Sequence, residues 1–97
     1  MGYKLEFRPL ATTDVIEGYD WYESKRQGLG LEFLNALEDF YDALLRNPFT
    51  YSYLDEPVRQ GNVKRFPYVV VYEVIEAKII IYSVFMARQD PSKKRTF

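Results

Sequence analysis

The amino-acid sequence predicts an α+β domain. It has an N-terminal strand, an antiparallel helical hairpin and then a three-stranded meander. Together these close a largely antiparallel four-stranded sheet with helices on one face. Three observations predict this. Tyr68–Ile75 and Lys78–Phe85 are dense in Val, Ile, Tyr and Phe, residues that fit a pleated, half-buried surface, and they lie at hairpin spacing. Residues 12–47 carry apolar side chains at helical spacing, interrupted at Gly28 and Gly30. Tyr3–Arg8 alternates apolar and charged residues. The order β, α, α, β, β, β then gives two packed layers.

Each element has a local reason. Tyr3, Leu5 and Phe7 share one face of the first strand, with Lys4, Glu6 and Arg8 on the other. Pro9 ends that strand, because proline cannot donate to the ladder. Thr12 or Thr13 can cap the first helix, and Asp14 and Glu17 suit its positive N-terminal end. Val15, Ile16, Tyr19 and Tyr22 fall on one side with Trp21 beside them, and the helix ends near Gln27. In the second helix Leu34, Leu37, Tyr41, Leu44 and Leu45 recur at helical spacing, widened by Phe33 and Phe40. Asn35, Glu38, Asp39 and Asp42 form its opposite face, and Asn47-Pro48 stops it. Periodicity alone explains this aromatic stripe as core rather than a cofactor site.

Phe49–Pro57 reads as a loop, with Tyr51 and Tyr53 at the sheet edge. Val58–Phe66 reads as a strand interrupted or turned at Gly61-Asn62, and Pro67 separates it from the central hairpin. The hairpin is apolar on nearly every position, so both of its faces need covering. Val69, Val71 and Ile75 face one side; Tyr68, Val70, Tyr72 and Val74 face the other. The helices cover one face, which leaves the second for a partner.

Composition bounds the function. A chain of 97 residues is one domain, 1–97, with residues 91–97 reading as a flexible tail. No stretch approaches the roughly 20 apolar residues of a membrane span, and the N-terminus lacks a signal-peptide core, so the expected location is the cytoplasm. Without Cys or His, thiolate chemistry, Cys-built zinc sites and the commonest metal ligand are excluded. No acidic spacing suits a metal and no phosphate-cradling glycine motif is present, so neither metal nor cofactor is expected. Charge is segregated. Residues 1–56 hold five basic and eleven acidic side chains, a balance of −6; residues 57–97 hold eight and three, a balance of +5. The basic half suits an anionic partner.

A series of short words in order carries a family resemblance. They are Asp14 with Tyr19-Asp20-Trp21-Tyr22, then Gly28-Leu29-Gly30 with Phe33-Leu34, then Asn47-Pro48 and Val58-Arg59. Arg65-Phe66-Pro67-Tyr68, Tyr72-Glu73-Val74, and Val84-Phe85 leading to Asp90-Pro91 complete the set. In this the chain resembles the RelE/ParE superfamily of toxins from type II toxin–antitoxin systems. The resemblance implies a cognate antitoxin that wraps the toxin in a hetero-oligomer. RelE-like members cut mRNA at the ribosome; ParE-like members poison DNA gyrase. Where many relatives carry His before an Arg-Asp-Pro word, this chain has Met86, and Gln89 stands at the Arg. Tyr68 is followed by Val69 rather than a basic residue.

These departures favour a ParE-like toxin that binds gyrase over a ribosome-dependent endoribonuclease. An inactive homologue that still binds antitoxin is the third reading. A nuclease without His would need a lysine as base and arginines to hold the phosphate. The candidates for that are Lys64, Arg65, Arg88 and Arg59, with tyrosines to stack on a base. Arg88, Lys93, Lys94 and Arg95 are candidate contacts to nucleic acid or another target. Tyr68, Val70, Tyr72, Val74 and Tyr82 are the expected antitoxin-binding residues, because that apolar face would be an oversized patch if bare.

Overall fold

The central hairpin forms as expected. In the computed structural model, which describes residues 2–87, strands β4 (Tyr68–Ile75) and β5 (Lys78–Met86) pair antiparallel across a Glu76-Ala77 turn. Glu76 takes a positive φ of 55° there. Around the hairpin lie β1 (Lys4–Phe7), α1 (Pro9–Lys25), α2 (Leu29–Arg46), β2 (Tyr53–Asp55) and β3 (Val58–Asn62). The sheet order is β1-β5-β4-β3-β2.

The α+β class holds, with five strands rather than four in a mixed sheet. β2 lies within the stretch read as a loop and pairs antiparallel with β3. β1 runs parallel to β5, from Lys4 opposite Lys78 to Phe7 opposite Ile81. The helical crossover between β1 and the meander makes that parallel edge possible. α1 begins earlier than Thr12 or Thr13 implied: Pro9 occupies its first turn and Arg8 its N-cap. Proline suits that position, since its missing N–H would be unpaired there anyway. α1 ends at Lys25, and β3 stops at Asn62, at the expected interruption or turn, short of Phe66.

The helical hairpin is locked locally. Gly28 has φ 90°, a left-handed conformation that glycine adopts freely. The Glu23 carboxylate accepts hydrogen bonds from the Gly28 N–H (3.0 Å) and the Gly30 N–H (3.0 Å). It satisfies otherwise unpaired donors and places a negative charge at the N-terminus of α2. Gly18 brings α1 close to the rest of the core. A Cβ there would meet the Phe33 ring at 2.7 Å and the Tyr68 hydroxyl at 3.3 Å.

The helices cover the face bearing Tyr68, Val70 and Tyr72. Those residues, with Val84, Ile79 and Ile81, are buried against Tyr22, Phe33, Leu37 and Phe40. Tyr22 and Phe33 sit 5.2 Å apart, and Phe33 lies 4.8 Å from Tyr68. Aromatic rings at these separations fill the interlayer space and attract one another beyond simple burial. The opposite face carries Val69, Val71 and Ile80, which are also buried.

One polar interaction crosses this apolar interior. An extra residue, Tyr82, interrupts the β4–β5 register, because Val71 pairs with Ser83 and Tyr72 with Ile81. The Asp14 carboxylate, 4% exposed, accepts from the Ser83 hydroxyl and from the Val84 N–H, each at 2.9 Å. Removing a buried acceptor strands its donors. Asp14→Ala is therefore expected to cost about 2–4 kcal/mol, while Ser83→Ala costs about 1 kcal/mol. Urea unfolding of the two variants checks this, and equal midpoints would contradict it.

Candidate functional site

Tyr68, Val70 and Tyr72, expected to receive a partner, are core residues beneath the helices, and Val74 packs half-buried against them. This corrects the expected docking face. When both faces of a hairpin are apolar, alternation identifies the two sets of side chains but cannot say which one the helices choose. The larger aromatic set fills the interlayer space. The Tyr72 hydroxyl donates to the Pro48 carbonyl at 2.7 Å, tying β4 to the segment after α2. Burial pushes Tyr68 and Tyr72 up to about 12, so both stay neutral. Tyr82 differs: its hydroxyl donates to Glu73 at 2.6 Å, and the Arg8 guanidinium lies 5.8 Å from its ring. The hydrogen bond to Glu73, more than burial, raises its pKa.

The candidate cations do not act as one set. Arg65 sits in the β3–β4 connection with φ 75°, an uncommon backbone for a non-glycine residue. Its guanidinium pairs with Glu32 Oε1 at 2.9 Å, while Arg26 holds Glu32 Oε2 at 3.2 Å. Lys64 is exposed. With Arg65 and Arg46 it lines an open cleft of about 500 Å³ between α2 and the β3–β4 connection, and Asp39 and Asp42 stand in the same cleft. Such mixed charge is a poor cradle for a phosphate. Arg88, Lys93, Lys94 and Arg95 lie outside the described residues, as does the expected tail at 91–97.

Arg59 is committed in another way. Its guanidinium donates to the Tyr51 carbonyl at 2.6 Å and, more weakly, to the Phe49 carbonyl at 3.5 Å. It lies 4.0 Å from the Tyr53 ring centroid and 5.3 Å from that of Phe49. This places it on the helix face of β3, opposite Tyr72, at the β2 edge. Gly61 makes the neighbouring packing possible: a Cβ there would meet the Phe40 and Tyr51 rings at 2.8 Å. Those rings stack at 5.0 Å.

Apolar surface is displayed elsewhere than expected. A groove of about 360 Å³ runs between the helices beside β1, lined by Phe7, Val15, Ile16, Leu34, Leu37 and Tyr41. Ile16 is 56% and Phe7 41% exposed. The Tyr41 hydroxyl is buried with no hydrogen-bond partner among the described residues, and burial raises its pKa. The helical periodicity of these residues was visible in the sequence, but the incomplete closure between the helices was not. Among the described residues no acidic cluster could hold a metal ion, and no helix is long and apolar enough to cross a membrane.

Comparison with known proteins completes the description. The model of one protein family, the ParE toxin of the type II toxin–antitoxin system parDE, matches residues 5–91. No curated protein sequence matches. Among solved structures, a chain of the chromosomal ParDE toxin–antitoxin system of P. aeruginosa superposes with TM-score 0.77 at 18% identity. That match covers 89% of this chain and 97% of the other. The isolated E. coli RelE toxin superposes with TM-score 0.67 at 19% identity, covering 93% and 89%. At these identities the two superpositions establish a common fold.

The Glu32 triad gives a pH expectation. Hydrogen bonds from Arg26 and then Arg65 hold the Glu32 carboxyl below its ordinary value of 4.5. The pairing therefore stabilises the fold above that value and is lost as pH falls through the depressed folded value. Because the group is exposed, salt weakens the effect. An NMR titration of the Glu32 carboxyl is expected to show a midpoint below 4.5 that rises in Arg26→Gln and in Arg65→Gln. An unmoved midpoint in both would show the ion pairs to be inconsequential.

Proposed function

Because the chain belongs to the ParE toxin family of type II toxin–antitoxin systems, we propose that it is the toxin of such a module and acts by binding DNA gyrase. In this reading a cognate antitoxin holds it inactive in a cytoplasmic hetero-oligomer. Freed from that partner, it arrests growth, and a plasmid carrying the module is stabilised by the same means.

The partners of the described candidate cations are the observation that favours binding over cleavage. Cutting RNA through the 2′-hydroxyl requires a base, an acid and positive charge converging on one phosphate. Arg65 is held by a carboxylate and Arg59 by backbone carbonyls. Lys64 shares its cleft with two aspartates. The tyrosines with resolved shifts are all moved toward the neutral phenol, which makes them poor bases. Met86, in the position where the resemblance places a His in many relatives, ends β5 and offers no proton. A protein that blocks an enzyme by binding needs no such convergence.

Induction of the chain without its antitoxin is the test. The expected outcome is growth arrest with damaged or relaxed DNA and intact mRNA, relieved by co-expression of the neighbouring antitoxin gene. The double variant Arg65→Ala, Arg88→Ala is expected to remain toxic. Rapid mRNA cleavage that this variant abolishes would establish the endoribonuclease reading instead. Normal growth at good expression would leave an inactive homologue.

A further inference from the structure

At the β2 edge the chain presents two aromatic rings with a cation fixed between them. Phe49 is 53% and Tyr53 47% exposed, unusual for rings that could have packed inward. Arg59 lies against both, at 5.3 Å and 4.0 Å from their centroids. Its guanidinium is held by the carbonyls of Tyr51 and Phe49. Those carbonyls fix its orientation without neutralising its charge. No carboxylate of the described residues forms a salt bridge with it, whereas Arg26 and Arg65 both reach Glu32. Tyr3 extends the aromatic surface, with its ring 6.4 Å from that of Phe49. Among the described residues β2 is an edge strand with one neighbour, β3, and the outer backbone groups of an edge strand can pair with another extended segment.

We infer that this surface is a docking site for an acidic extended segment of the cognate antitoxin, one that sets a carboxylate against Arg59 and an apolar side chain over Phe49 and Tyr53. The inference rests on the toxin–antitoxin reading above. Charge complementarity selects the occupant: a fixed cation with no counter-ion among the described residues wants one anion, and flanking rings want an apolar neighbour. A polyanion fits less well, because Asp55 and Glu56 are exposed at the end of the same strand and would repel a run of phosphates. The site is also preorganised. Ordering an arginine normally consumes much of the gain from pairing it, and here the carbonyls and rings have already ordered it. Arginine and tyrosine at the centre of a patch are the side chains that most often dominate binding energy. The apolar groove between the helices would accept any greasy segment, whereas this patch has the chemistry to discriminate.

The test measures affinity of purified chain and cognate antitoxin by calorimetry, for wild type, Phe49→Ser with Tyr53→Ser, and Arg59→Gln. The double variant removes two exposed rings and leaves the core intact, so it separates docking from folding; circular dichroism confirms that each variant is folded. Both variants are expected to bind the antitoxin at least about tenfold more weakly than wild type. The wild-type affinity is expected to fall with added salt more steeply than that of Arg59→Gln. Affinities within about twofold of wild type for the folded double variant would overturn the inference, even though the complex itself stands. So would unchanged antitoxin binding with weakened binding of a single-stranded oligonucleotide, which would make the patch a nucleic-acid surface. A wild-type chain that forms no complex at all would defeat the toxin–antitoxin reading and this inference together.

Discussion

β1 ends at Phe7, and β5 continues past it to Met86. The Arg8 N–H still reaches the Ile81 carbonyl at 3.0 Å, and then the chain leaves the sheet to become α1. Beyond that point the register slips at Tyr82, and the Val84 N–H is taken by a side chain, the Asp14 carboxylate. A buried backbone donor must be satisfied by something. Here the first helix supplies the acceptor that a longer first strand would have supplied. One carboxylate thereby fixes where α1 lies along β5 and how the bulge at Tyr82 is held. It also anchors the first helix to the hairpin across 70 residues of sequence. A Leu of similar bulk at position 14 would pack, but would return neither acceptor bond.

The rest of the core follows from that placement. With α1 fixed over β5, Gly18 admits the Phe33 ring, and the Gly28 turn with its Glu23 cap brings α2 back antiparallel. Tyr22, Phe33, Phe66 and Tyr68 then form one aromatic cluster with centroids 4.8 to 6.0 Å apart. Phe66 belongs to the same turn as Arg65, so the Arg65–Glu32 pair and the aromatic cluster hold the β3–β4 connection from outside and inside. The strained φ of Arg65 is tolerated because both of these contacts over-determine it.

Much of this was legible in the sequence. The hairpin and the helix pair were readable because periods of 2 and 3.6 are properties of short windows. In the sequence Asp14 suits a helix N-terminus and opens the words of the family resemblance, but its buried bonds are not legible there, since its partners Ser83 and Val84 lie far along the chain. The first helix start was misread because Pro9 both closes a strand and opens a helix, and Thr12 and Thr13 offered a more familiar signal. β2 has three residues and no alternation, so nothing marked it against its turn-rich surroundings. The parallel pairing of β1 depends on a crossover, which no local pattern encodes. At the candidate site the basic residues were recognisable, but their partners were not. Arg59 is held by backbone carbonyls and Arg65 by a carboxylate 33 positions away, and neither kind of partner leaves a trace at the arginine itself.

Those partners decide what the charges can do. An arginine paired with Glu32 has spent its field locally, and bringing it to a phosphate would first require breaking that pair. An arginine held by neutral carbonyls keeps its whole charge and loses only its freedom to move. Basic residues that look equivalent in composition therefore differ in kind: Arg65 braces a loop, while Arg59 presents an oriented cation beside two rings, with no ion pair among the described residues. A catalytic site needs several such groups converging on one atom, whereas recognition of a folded or extended partner can rest on one or two of them in a preorganised patch. Because Arg59 is oriented by neutral carbonyls and flanked by rings, the β2 edge is a more selective surface than the charge-mixed cleft beside Lys64.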